Sequence, residues 1–171
     1  DPIPEEYKDV ISDYKKVVEF RLSKTFEAEL ETGKFSAINK ELSFDVDWES
    51  DGEGALEYNW NNMIVDMTSG LKSPTLASFS YVLKDLNGDK IPELIWTNSE
   101  GSKIYAVFTI DKGKAMLLDA YWSRYASVIT DSGEIFTRGS GGSSVYEYTV
   151  NKLDFEEAGL MKEILCFGRE N

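Results

Sequence analysis

At 171 residues the chain is about one domain long, and its 42% apolar and 13% aromatic content is enough to build a packed core. Its 31 acidic against 18 basic residues give a formal net charge of −13, which disfavours nucleic acid and anionic lipid surfaces as partners. There is no histidine and one cysteine, which excludes Ser-His-Asp and Cys-His catalysis, imidazole metal ligands and any internal disulfide.

Asp1 is not an initiator methionine, so residues ahead of it are expected to have been removed, by signal processing or by design of the expressed piece. No apolar run approaches the roughly 20 residues that cross a bilayer, so no membrane insertion of this chain is expected. Near the start, Tyr7, Val10, Ile11, Tyr14, Val17, Val18, Leu22 and Phe26 recur at spacings of three and four, the stripe of a long amphipathic helix. Pro4, Glu5 and Glu6 suit its start and Gly33 its end.

Further on, Asp45, Asp47 and Glu49 alternate with Phe44, Val46 and Trp48, and the acids continue at Asp51 and Glu53. Period two predicts an edge strand whose charges block pairing with other chains; the other reading is a patch for a cationic partner. A short second helix is predicted over 56–67, where Leu56, Trp60, Met63, Ile64 and Met67 share a face. After Ser73 come β-branched and aromatic runs at 77–85, 92–98, 103–110, 114–122, 125–130, 134–138 and 144–153. Between them "DKGK" (111–114) and "DSGE" (131–134) read as hairpin turns. The predicted class is α+β: a long N-terminal amphipathic helix and a short second helix packed on an antiparallel β-meander. One domain, 1–171, is expected, mainly helical over 1–70 and an antiparallel sheet over 74–171.

The sharpest chemical signal is "DLNGDKIPE", residues 85–93. Asp85, Asn87 and Asp89, the Ile91 carbonyl and Glu93 fall at every second position, so a coiling loop turns them towards one point. The donors are all oxygen, which suits Ca2+; zinc asks for nitrogen or sulfur, and magnesium for stricter octahedral geometry. Gly88 permits the curvature and Pro92 holds the exit into the next strand. An EF-hand is excluded, because Lys90 stands where that loop needs glycine and Trp96 where it needs glutamate. A bare Asn-Gly hairpin turn explains Asn87 and Gly88 but leaves Asp85, Asp89 and Glu93 to repel one another by about 1 kcal/mol per close pair.

The loop resembles the short calcium loop of FG-GAP and integrin-alpha type repeats, which joins two antiparallel strands. That resemblance implies that Asp85, Asn87, Asp89 and Glu93 are metal ligands and that Ile91 adds its carbonyl. Over about residues 78 to 150 the chain also looks like a set of secreted or lipid-anchored proteins of Gram-positive bacteria with a "D(I/L)NGDG(I/V)PEL" core, from which it departs at Lys90.

Weaker signals have bland readings. Cys166, within "EILCFG", reads as a small buried apolar residue. Ser12 and Lys15 match S-x-x-K without its companion motifs, and "RGSGGSSVY" (138–146) lacks the ending of a phosphate loop and reads as a flexible loop. Tyr105, Tyr121, Trp122, Tyr125, Phe136, Tyr146 and Tyr148 are core or cross-strand aromatics unless they form a sugar-stacking surface, for which Trp122 and Tyr125 are the candidates.

The sequence thus leads to a non-catalytic, calcium-stabilised extracellular or bacterial cell-surface module that binds a protein or glycan ligand. A precursor with a secretion signal or lipid anchor is expected, since extracellular modules bind calcium at about 10⁻⁴ to 10⁻³ M, where it is abundant. The alternatives are a carboxylate-based glycoside hydrolase, for which no acid pair stands out, and an acidic inhibitor of a cationic enzyme.

Overall fold

The fold is that of a computed structural model, which describes residues 2–25, 28, 75–121, 126–130, 133–142, 145–153, 155 and 161–170. The chain divides into two compact units, Asp1–Ser78 and Phe79–Asn171.

In the first unit, helix α1 runs over Glu6–Leu22. The Pro4 and Glu5 carbonyls accept the amides of Tyr7 and Lys8 at 3.2 and 3.0 Å, and Glu6 and Asp9 place negative charge in the first turn. Tyr7, Val10, Ile11 and Val18 of the expected stripe are buried, while Ser12 and Lys15 are exposed on α1, so nothing there forms a nucleophile's pocket. After Leu22 the chain bends and turns through Ser23, Lys24 and Thr25. Phe26, Gly33, the acidic run 44–53 and the second helix predicted over 56–67 lie outside the described residues. A short 3-10 turn, Leu76–Ser78, precedes the second unit.

The second unit holds strands β1 (Phe79–Lys84), β2 (Glu93–Asn98), β3 (Ile104–Asp111), β4 (Lys114–Ala120), β5 (Ala126–Ile129), β6 (Glu134–Gly142), β7 (Val145–Leu153) and β8 (Met161–Glu170). They form two four-stranded sheets, ordered β1-β2-β3-β4 and β5-β6-β7-β8, with antiparallel neighbours throughout. Both predicted hairpin turns are present. Lys112 and Gly113 have φ of 49° and 76°, the pair of positive values that a tight right-twisting hairpin requires, and Gly133 at φ 85° turns β5 into β6.

This corrects the predicted fold. The described residues contain one α-helix and one 3-10 turn, and the strands form two sheets rather than one meander carrying two helices. Consecutive strands do pair, but the chain leaves the first sheet after β4 and starts a second at β5. Alternation along a strand gives its faces and not its sheet, so the break has no signature in the pattern. A second layer answers a packing need: β2 and β3 are buried on both faces, from Glu93 to Thr97 and from Ile104 to Thr109, and such strands need cover on each side.

Ile95, Ile104, Val107, Leu118 and Tyr121 of the first-sheet segment meet Ile135 and Leu153 of the second sheet in a shared core. Leu86, Met116, Ile129 and Phe155 pack at its margin. On the first sheet, Tyr81 lies edge-on to its cross-strand partner Trp96, with ring centroids 5.5 Å apart.

Two further readings change. Residues 138–142, expected in a flexible loop, finish β6 and pair with β7, and a register shift between Ser140 and Gly142 absorbs the glycines. The stretch around Cys166 is β8, where Cys166 lies opposite Val150; its side chain is outside the described set. Among the described residues no helix is long and apolar enough to cross a membrane.

Because Ile135 is fully buried where the two sheets meet, Ile135→Ala should cost about 2 to 5 kcal/mol, while Val82→Ala, at an exposed position of β1, should cost about 0.5 kcal/mol or less. Denaturant unfolding of both variants checks this, and equal losses would remove Ile135 from the shared core.

Candidate metal centre

The candidate loop spans the connection from β1 to β2 and is held by its own side chains. Asp85 accepts the Gly88 amide on Oδ1 at 2.7 Å and the Lys90 amide on Oδ2 at 3.0 Å. Asn87 Oδ1 accepts the Asp89 amide at 3.0 Å, and Asn87 Nδ2 donates to Asp89 Oδ2 at 3.0 Å. Asp89 Oδ1 takes the Ile91 amide at 2.6 Å. Short polar side chains capturing amides a few residues on make the chain coil, and the coil needs left-handed backbone at Gly88 (φ 84°) and Lys90 (φ 73°). At Gly88 this is free of strain. At Lys90 a side chain is forced into the left-handed region, and it stays exposed.

Asp85, Asn87 and Asp89 line the exposed coil, whereas Glu93 is fully buried at the start of β2. Its Oε2 accepts the Leu86 amide at 2.8 Å and its Oε1 the Thr109 hydroxyl at 3.0 Å. Burial pushes the Glu93 pKa up; the two hydrogen bonds oppose this and the neighbouring Asp89 charge adds to it. The Ile91 side chain is exposed.

Among the described residues no three acidic or sulfur side chains stand together as a ready-made metal cluster. The donor chemistry nevertheless fits a hard cation. Asp85, Asn87, Asp89, Glu93 and the Ile91 carbonyl are all oxygen donors, and a carboxylate oxygen that accepts one amide keeps a second lone pair. Thr109 was not visible as part of this site: it lies 16 residues beyond Glu93, and only the pairing of β2 with β3 brings it there. A polar residue inside strand β3, on the same parity as the buried Val107, was the available signal.

The aromatic candidates separate. Trp122 and Tyr125 lie outside the described residues. Tyr105 and Tyr121 are buried, so neither offers a face to a sugar, and burial with the adjacent Asp119 holds the Tyr121 phenol well above its usual range. Phe136 and Tyr146 are exposed, and the Arg138 guanidinium lies over the rings of Tyr146 and Tyr148 at 5.3 and 5.7 Å.

With its folded pKa raised, Glu93 contributes stability that is full below the unfolded carboxylate value, about 4.3, and is lost as pH rises through the folded value. Glu93→Gln keeps an acceptor for Leu86 and a group able to donate to Thr109, but cannot titrate. In metal-free buffer, acidification from about pH 7 to about pH 5 should therefore favour wild type over Glu93→Gln, as read by denaturant unfolding. Glu93→Ala strands both donors and should cost about 1 to 3 kcal/mol. A gap between wild type and Glu93→Gln that ignores pH would contradict the buried, proton-linked carboxylate.

No known protein family, curated protein or solved structure matches this chain.

Proposed function

We propose that the chain is a non-catalytic binding module, secreted or displayed on a bacterial cell surface, whose loop 85–93 is stabilised by bound calcium. Asp85, Asn87, Asp89, Glu93 and the Ile91 carbonyl would hold the ion, and the ion would supply charge neutralisation and rigidity rather than chemistry. The observation that carries this reading is the coil itself: Asp85 and Asp89 accept the amides of Gly88, Lys90 and Ile91, so the loop that bears the oxygen donors is curled by its own side chains. The likeness of "DLNGDKIPE" to FG-GAP type calcium loops supports it, as does the abundance of calcium outside cells.

The ligand is read as a protein or a glycan. Phe136, Tyr146 and Arg138 supply the described aromatic and cationic surface on β6 and β7, where a guanidinium stacked on rings keeps its N–H edges for acceptors on a partner. A glycoside hydrolase asks for an acid of raised pKa that reaches substrate. Glu93 has the raised pKa but is buried away from solvent, where a polymeric substrate does not reach it, which favours the binding module over the enzyme. The inhibitor reading rests on the acidic run 44–53, outside the described residues.

Calcium at about 100 times its dissociation constant should stabilise the fold by about 2.7 kcal/mol, a rise in melting temperature of roughly 5 to 11 °C for a chain of this size. Chelator should reverse the shift. Asp89→Ala should abolish most of it and Asp51→Ala should not. Metal-stripped protein whose melting ignores both millimolar calcium and chelator would reduce the loop to a self-bonded turn.

A further inference from the structure

We propose that the turn joining β5 to β6 is the wall against which loop 85–93 is held in its coil, so that the loop and the second sheet are energetically coupled. The key unit is the Leu86 backbone, whose amide and carbonyl belong to the peptides that link it to two of the loop's oxygen donors, Asp85 and Asn87. Its amide is fixed from the first sheet by Glu93 Oε2 at 2.8 Å. Its carbonyl faces the second: a Cβ placed on Gly133 would stand 3.0 Å from the Leu86 oxygen and 3.7 Å from the Leu86 Cβ. A side chain at Gly133 would push on the Leu86 backbone, and Gly133 is also in the left-handed region at φ 85°.

The turn is itself braced. Thr130 gives its amide to the Glu134 carbonyl at 2.9 Å, Gly133 gives its amide to the Thr130 carbonyl at 3.2 Å, and the Thr130 hydroxyl bonds the Glu134 carboxylate. Lys84, the last residue of β1 before the loop, reaches across to donate to the Thr130 carbonyl at 3.3 Å. The turn thus meets the entrance to the loop at Lys84 and its first peptide at Leu86. A displacement of that peptide moves the Asp85 and Asn87 donors together. By linkage, whatever tightens the loop must then tighten the turn to the same extent.

The calcium side of this inference rests on the function proposed above; the coupling does not. Two glycine variants separate backbone strain from contact. Gly133→Ala adds a methyl group in the left-handed region and against Leu86, whereas Gly101→Ala adds one at φ 67° with nothing within 4 Å. In metal-stripped protein, hydrogen exchange of the Gly88 and Lys90 amides, measured relative to β3 amides, should accelerate about tenfold in Gly133→Ala and stay unchanged in Gly101→Ala. Lys84→Met, which keeps the stem and removes the donor to Thr130, should act in the same direction and serves if Gly133→Ala does not fold.

With calcium chloride as the probe, wild-type exchange should slow at the Thr130 and Gly133 amides, and calorimetric affinity should fall at least about fivefold in Gly133→Ala alone. Equal loop exchange in the Gly133 and Gly101 variants, or in wild type and Lys84→Met, overturns the coupling. Faster loop exchange in Gly133→Ala with no calcium binding in wild type upholds the coupling and sinks the metal reading.

Discussion

The buried carboxylate of Glu93 is the constraint on which the rest of this site depends. A charge removed from water costs far more than one hydrogen bond returns, so such a group persists only where donors meet it. Here one donor is the Leu86 amide in the loop and the other is the Thr109 hydroxyl on β3. Strand β2, strand β3 and the loop therefore meet at one side chain. Leu86, Met116 and Ile129 pack at the nearby margin of the core, so the polar tie sits where apolar packing gives out. The loop's position is then fixed by desolvation as much as by turn propensity.

The parts of the fold governed by local chemistry were legible in the sequence. The α1 stripe from Tyr7 to Val18, the seven strands nearest to it in chain order and the two glycine turns follow from periodicity and from the φ that only certain residues accept, whereas the helix ends at Leu22 and not at the expected Gly33. What was not legible depends on long-range pairing. The division into two sheets is set where β4 hands over to β5, and β8 carries no clean alternation that would have separated it from an apolar tail. The site divides in the same way. Asp85, Asn87 and Asp89 announce themselves by spacing, and their hydrogen bonds stay within the loop. Thr109 and Gly133 belong to the site's surroundings only because strands distant in sequence fold beside it.

The coil of the loop also has a cost that can be located. Lys90 accepts a left-handed backbone, which disfavours any side chain by about 1 to 2 kcal/mol. The Asp85 carboxylate takes the Lys90 amide, and a hydrogen bond to a charged acceptor is worth about 1.5 to 3 kcal/mol, enough to offset that strain. The strain at Lys90 is therefore met inside the loop.

That self-sufficiency decides what a cation could add. In a chain of net charge −13, Asp85 and Asp89 gain partial compensation from the backbone amides they accept, but amides carry only partial charge and the Asp89 charge still acts on Glu93. A divalent ion would remove the remainder without having to organise the chain. Binding to such a preformed loop forgoes the ordering cost that a metal-folded domain must meet, so its effect would fall on local rigidity and the pinned Leu86 peptide more than on whether the fold forms.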